Sequence, residues 1–192
     1  MSDPIDVVKQ LLQTAPADPG RPLPGPATAQ ELAAFERSLG YEIPAELRRW
    51  LETCNGPLVG PGGLFGIGSA DDDVNLEHRA ARHPEWSARR WIPVAGDGCG
   101  NDYLLVASGE FGPGHPVVFV EMISDPLTPA FVVASGLWRF LEGLLRQDIE
   151  ECSPQHDRDS EAARWPFDEA LVVARDPAIL DVVGVPLPWN AD

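Results

Sequence analysis

Basic residues are scarce in this sequence, and Lys9 is its only lysine. It has 14 Lys and Arg residues against 30 Asp and Glu residues, which gives a formal net charge of −16 at pH 7. Nucleic acids and anionic membrane surfaces are normally held by clustered Lys and Arg side chains. The charge therefore argues against both as partners and favours a protein with a basic surface, although acidity also serves solubility and does not by itself establish such a partner.

Cysteines and long apolar runs are scarce too. Cys54, Cys99 and Cys152 are an odd number at wide spacing, unlike the disulfide framework of a small secreted domain. The first residues are acidic where a signal peptide needs a basic flank, and no apolar run is long enough to span a membrane. These absences predict a cytoplasmic protein.

Enough apolar residues are present to build a core, since 44% of the 192 residues are hydrophobic. The chain is predicted to form one domain with additions at both ends. Residues 1–27 are expected to form a short helix and a proline-rich linker, because five prolines lie between 15 and 27. Residues 28–150 are expected to form the core domain, and residues 151–192 an acidic helical extension packed on it.

Helix signals recur through the chain. Thr28 and Glu31 have the spacing of a capping box, and Pro44 suits a first helical turn. Residues 71–82 are expected to be helical. Ser135 is predicted to cap a helix with a strong apolar face, and Asp168 to cap another in the extension.

Strand signals follow one another in the middle of the chain. The stretch 60–68 holds five glycines around Leu64, Phe65 and Ile67, which predicts a short strand between tight bends. Four runs rich in β-branched and aromatic residues come next, at 91–95, 103–107, 117–121 and 131–134. Because the connections are too short for crossover helices, an α+β fold is predicted, with a mainly antiparallel sheet of about five or six strands flanked by helices.

The motifs of cofactor and metal sites are incomplete. Gly98 and Gly100 begin a dinucleotide fingerprint, but Tyr103 replaces its third glycine, and the stretch 60–68 lacks the residues of a phosphate loop. A calcium loop over 71–82 would have Leu76 where glycine must turn. His78 and His83 are five residues apart and do not share a helix face. We therefore predict no cofactor and no metal.

A catalytic cysteine is the enzymatic alternative. Cys99 stands in a turn after Asp97, and His115 could serve as its base. Nothing in the sequence orients that base, and the Asp97 carboxylate would raise the thiol pKa, so the expectation is that the protein is not an enzyme.

Candidate partner contacts are acidic or aromatic. Asp71, Asp72 and Asp73 either favour a helix N-terminus through the helix dipole or form a docking patch for a basic partner. Asp97 and Asp102 are further acidic candidates. Trp86 adjoins a proline-containing turn and is either a packing anchor or an interface hot spot.

The order of motifs resembles the SUKH superfamily, which includes fungal cell-wall regulators and many bacterial toxin-immunity proteins. The resemblance rests on motifs in a fixed order between residues 28 and 149: Glu36, Leu39-Gly40, Ile43-Pro44, Asn55-Gly56, Leu64-Phe65-Gly66, Trp91 to Ala95, Asp97-Gly98, Gly100-Asn101 and Val117 to Phe119. It implies an α+β fold, no known catalytic residues and stoichiometric binding of a protein.

Two hypotheses of protein binding follow, beside the enzyme that uses Cys99. In the first, an immunity protein neutralises a toxin domain with a basic, nuclease-like surface. In the second, a housekeeping scaffold or regulatory domain recognises a cellular protein through the same fold.

Overall fold

In the part of the chain that the computed structural model describes, five α-helices precede four consecutive strands, and two α-helices follow them. The structure describes residues 3–14, 23–69, 71–154 and 160–191, so most of the expected proline-rich linker lies outside the described residues. The α-helices are α1 (Pro4–Thr14), α2 (Ala29–Leu39), α3 (Ala45–Leu51), α4 (Leu76–Arg82), α5 (Pro84–Ala88), α6 (Leu137–Glu151) and α7 (Glu169–Arg175). The strands are β1 (Trp91–Gly96), β2 (Asp102–Val106), β3 (Val117–Val120) and β4 (Phe131–Ala134). Short 3₁₀ helices lie at Asp72–Val74, Pro177–Asp181 and Pro188–Asn190.

The sheet is antiparallel throughout, in the order β1-β2-β3-β4. The α+β class and the antiparallel pairing are confirmed, but the described residues form four strands rather than five or six. The stretch 60–68 makes only single bridges, from Leu64 to Ala95 and from Gly66 to Asn75. Gly60, Gly63 and Gly68 have positive φ angles, which interrupt the extended backbone that a strand needs.

Helices cover both faces of the sheet. Phe140 of α6 lies against Tyr103 of β2, with ring centroids 5.0 Å apart. The next residue back in β2, Asp102, points to the opposite face and pairs there with Arg79 of α4. Because both faces are covered, nearly every strand residue is buried.

The edges of the sheet are occupied by irregular segments. Along β1, the Phe65 amide donates to the Val94 carbonyl at 2.9 Å, and the Gly96 amide donates to the Gly63 carbonyl at 3.2 Å. Along β4, the Val132 amide donates to the Pro186 carbonyl at 2.9 Å. Segments from outside the sheet therefore satisfy backbone groups at both edges.

Several helix starts were readable from the sequence. The capping box of α2 is confirmed, since the Glu31 amide donates to the Thr28 hydroxyl and the Thr28 amide donates to the Glu31 carboxylate. Asp168 caps α7 by accepting from the Leu171 amide at 2.8 Å.

Two predicted helix boundaries are wrong. The N-cap of α6 is Gly136 and not Ser135, whose amide and hydroxyl both donate to the Asp176 carboxylate. The predicted helix at 71–82 is divided into a 3₁₀ turn and α4, because the Asn75 side chain accepts from the His78 amide and begins a new helix there.

Residues beyond α6 pack into the interior. The Trp165 ring lies directly over Gly143 of α6, and Ile179 is fully buried. Trp50, Trp91 and Trp138 are buried as well. Among the described residues, no helix has the length and apolar character needed to cross a membrane.

Candidate functional site

A cleft of about 420 Å³ opens at the end of the sheet where β1 ends and β2 begins. Three segments that are distant in sequence line it, within residues 58–65, 71–79 and 96–101. It brings together candidate residues that are far apart in the sequence.

Glycines form much of the cleft wall because backbone meets backbone there. A Cβ atom at Gly98, whose φ is +75°, would lie 2.6 Å from the Pro61 carbonyl oxygen. A Cβ at Gly62 would collide with the backbone of Gly96. Only glycine permits this approach, so the two loops lock together and leave a wall with few side chains.

Asp71 and Asp73 also line the cleft, and both are exposed. The Asp73 amide donates to the Asp71 carboxylate at 3.2 Å, which fixes the turn that holds the two residues. Asp72 lies between them in the chain but does not line the cleft, and its carboxylate is 3.1 Å from Nδ1 of His78. The three aspartates therefore do not act as one patch.

Asp97 borders the cleft between two lining residues, Gly96 and Gly98, and is half-buried. Its carboxylate accepts from the amides of Cys99 at 2.7 Å and Asn101 at 2.9 Å. The Asn101 side-chain amide also donates to it at 2.8 Å. Asp97 thus shapes the loop as well as adding charge to the rim.

Asp102 does not belong to the exterior. It is fully buried, and the Arg79 guanidinium donates to its two carboxylate oxygens at 2.8 Å and 2.7 Å. Burial raises the pKa of Asp102, and the hydrogen bonds and charge of Arg79 oppose that shift. The expectation that Asp102 contacts a partner is corrected, because its side chain has no solvent-accessible surface.

Trp86 is likewise an interior residue. It has no exposed surface, its Nε1 donates to the Pro126 carbonyl at 2.7 Å, and its ring stacks on His83 with centroids 4.1 Å apart. Of the two roles left open by the sequence, the structure gives Trp86 that of a packing anchor, which removes it from the candidate contacts.

The net charge of the cleft is negative. In the part of the chain that the structure describes, Asp71, Asp73 and Asp97 form no ion pair with Lys or Arg. Arg79 is the cation among the lining residues, and its charge is matched by buried Asp102. A positively charged group would therefore be attracted into the cleft.

The structure separates the proposed catalytic pair. Cys99 precedes β2 and His115 follows it, so the two lie at opposite ends of a strand that spans about 17 Å. His115 instead places Nδ1 3.1 Å from the Glu46 carboxylate, which also accepts from the Leu137 amide at the start of α6. Burial raises the pKa of Glu46. The described residues contain no cluster of His, Cys, Asp or Glu suited to a metal ion.

Sequence reasoning missed two cleft residues. Leu58 lines the cleft and is 46% exposed, yet it follows a proline and shows no periodicity. Asn101 also lines it and was noted only as part of the Gly100-Asn101 motif. Its spacing from Asp97 across two glycines was the available signal for a side chain that closes a loop.

Comparison with protein families identifies the part of the chain that forms the cleft. The model of the SMI1/KNR4 family (SUKH-1) matches residues 26–143, which is more than half of the chain. The chain belongs to the SUKH-1 family. All three segments that line the cleft fall within the SUKH-1 match, whereas α7 and the residues around it fall outside. The comparison with curated proteins gives no match.

Proposed function

We propose that this SUKH-1 chain is a non-enzymatic immunity protein that neutralises a cognate toxin domain by stoichiometric binding. The observation that supports this best is the glycine-walled cleft with unpaired carboxylates on its rim, in a family whose domains often serve as immunity proteins. A cleft without an assembled catalytic pair or metal cluster among the described residues suits recognition better than turnover.

The partner is a protein with a basic surface, such as a nuclease-like toxin domain. A net charge of −16 repels nucleic acid itself but attracts the cationic face of a protein that binds nucleic acid. The free thiols of Cys54, Cys99 and Cys152 are compatible with the cytoplasm, where such a toxin would act, and this location forms part of the proposal.

Complex formation with the product of an adjacent toxin gene tests this function. Size-exclusion chromatography with light scattering should give a complex of defined stoichiometry, and the toxin's activity should fall in proportion to the bound fraction. Binding without inhibition would favour the scaffold or regulatory role. Failure to bind any product of the gene neighbourhood would contradict the proposal.

A further inference from the structure

We infer that the cleft receives an arginine side chain of the partner, held between apolar contacts at Leu58 and Ile123. This inference rests on the proposed function and specifies its chemistry. It combines three separate features of one end of the sheet: a walled cleft, unpaired carboxylates and two exposed aliphatic side chains.

Leu58 supplies one apolar contact. It lines the cleft and leaves 46% of its surface exposed. The Leu58 side chain lies close to Gly63. A Cβ atom at Gly63 would be only 3.1 Å from Cδ2 of Leu58. The absence of a side chain at Gly63 therefore gives Leu58 its place at the cleft mouth.

Ile123 supplies the other contact, from the loop between β3 and β4. It is 97% exposed, which is extreme for a large aliphatic side chain. The loop is tied to the cleft, because the Met122 amide donates to the Asn101 side-chain oxygen at 3.1 Å. Asn101 lines the cleft and also donates to Asp97. One side chain thus links the exposed isoleucine to the acidic rim.

Charge and hydrogen bonding select the occupant. The exposed carboxylates of Asp71 and Asp73 offer acceptors to a cation, and the positive charge of Arg79 is matched by Asp102. Asp97 adds negative charge at the border of the cleft, although its carboxylate also accepts hydrogen bonds from Cys99 and Asn101. An arginine presents five donors in a planar fork and loses water more readily than a lysine. Arginine flanked by apolar contacts is also the usual composition of an interface hot spot.

The cleft can be tested without knowing the toxin. The probes are the peptide acetyl-Ala-Arg-Ala-amide and its counterpart with citrulline, which has the shape of arginine without the charge. Titration of the ¹⁵N-labelled full chain should shift the amide signals of Gly62, Gly98 and Gly100 with the arginine peptide, and at least fivefold more weakly with citrulline.

Asp73→Asn and Asp72→Asn form a matched pair for that titration. Both residues are exposed in the same 3₁₀ turn, but Asp73 lines the cleft and Asp72 does not. We expect Asp73→Asn to weaken binding of the arginine peptide several-fold and Asp72→Asn to leave that binding unchanged. Equal effects of the two variants, or equal binding of the two peptides, would overturn the cleft assignment.

The apolar contacts are tested in the toxin complex. Ile123→Ser and Leu58→Ser should each raise the Kd by about tenfold, whereas Val183→Ser, at a residue 59% exposed in the C-terminal segment, should not. All three side chains are exposed, so folding should survive, which thermal unfolding can verify. A toxin complex indifferent to Ile123, Leu58 and Asp73 overturns this inference and leaves the proposed function standing. Selective binding of the arginine peptide without any toxin complex would support the cleft assignment and contradict the proposed immunity function.

Discussion

At the scale of single residues, Gly143 is a position where the interior leaves no room for a side chain. It lies in the middle of α6, where an alanine would ordinarily be preferred by about 1 kcal/mol. A Cβ there would instead enter the space of the Trp165 ring. Since the obstruction is a buried aromatic ring, the packing conflict outweighs the helix preference.

We therefore predict that Gly143→Ala destabilises the fold by about 1 to 3 kcal/mol, the usual cost of overpacking a core. Urea unfolding followed by tryptophan fluorescence measures the change. Gly25→Ala is the control, because a Cβ at Gly25 meets nothing within 4 Å. A Gly143→Ala variant at least as stable as the native chain would contradict the packing described for Trp165.

The buried pair of Arg79 and Asp102 gives a second residue-scale prediction. Removing the guanidinium in Arg79→Leu leaves a carboxylate in the interior, and such losses cost about 3 to 5 kcal/mol. Because the Arg79 side chain is 20% exposed, we expect a value near the lower end.

The double variant Arg79→Leu, Asp102→Leu controls for the lost packing. With no unpaired charge left behind, it should be more stable than Arg79→Leu alone, as measured by the same urea unfolding. If the two variants unfold at the same urea concentration, the charge of Asp102 is not what makes the single change costly.

At the scale of elements, the segment after α6 packs into the core and is not a loose tail. The side chain of Ile179 is fully buried, while its neighbour Leu180 is 51% exposed. Ile179→Ala should cost about 2 to 5 kcal/mol through the cavity it leaves, and Leu180→Ala much less. Differential scanning calorimetry compares the two melting temperatures, and equal shifts would argue against the packing of this segment.

Asp148 connects α6 to the cleft and should give stability a pH dependence. Its carboxylate accepts from the Gly60 amide at 2.9 Å, and burial raises its pKa. A carboxyl group with a raised pKa in the folded state keeps its proton where the unfolded chain has released it. Its contribution to stability therefore falls as the pH rises from the ordinary carboxyl pKa through the raised one.

Asp148→Asn keeps the acceptor for Gly60 and removes the charge. Relative to the native chain, we expect the variant to gain stability as the pH rises from about 4 to 7. Urea unfolding of both proteins across that range gives the difference, in which other titrating groups cancel. A difference that stays constant with pH would show that Asp148 is not the source.

Elements with local signals could be predicted from the sequence, and those assembled at long range could not. The helix starts at Thr28 and Asp168 could be predicted because each capping side chain accepts a hydrogen bond from an amide only three residues later. Asp102 was misplaced because both faces of β2 are covered, so alternation does not identify an outward side. Trp86 lies in a five-residue helix, too short to show periodicity. The cleft joins segments as far apart as Leu58 and Asn101, and no local pattern records that contact.

At the scale of the whole molecule, the net charge of −16 should govern how fast a partner arrives. Steering by opposite charges raises association rates and weakens as salt shortens the screening length from about 30 Å at 0.01 M to about 8 Å at 0.15 M. We expect the association rate with the cognate toxin to fall steeply over this range while dissociation changes little. Stopped-flow fluorescence measures both rates, and an association rate independent of salt would rule out steering.

The borders of the sheet also decide what kind of recognition is open to this molecule. Residues 63–65 bond along β1, and Pro186 bonds to β4, so an incoming chain finds these backbone positions taken. Contact then depends on side chains and loop shape. Substituting a few of those side chains would change which partner the protein binds without changing its fold.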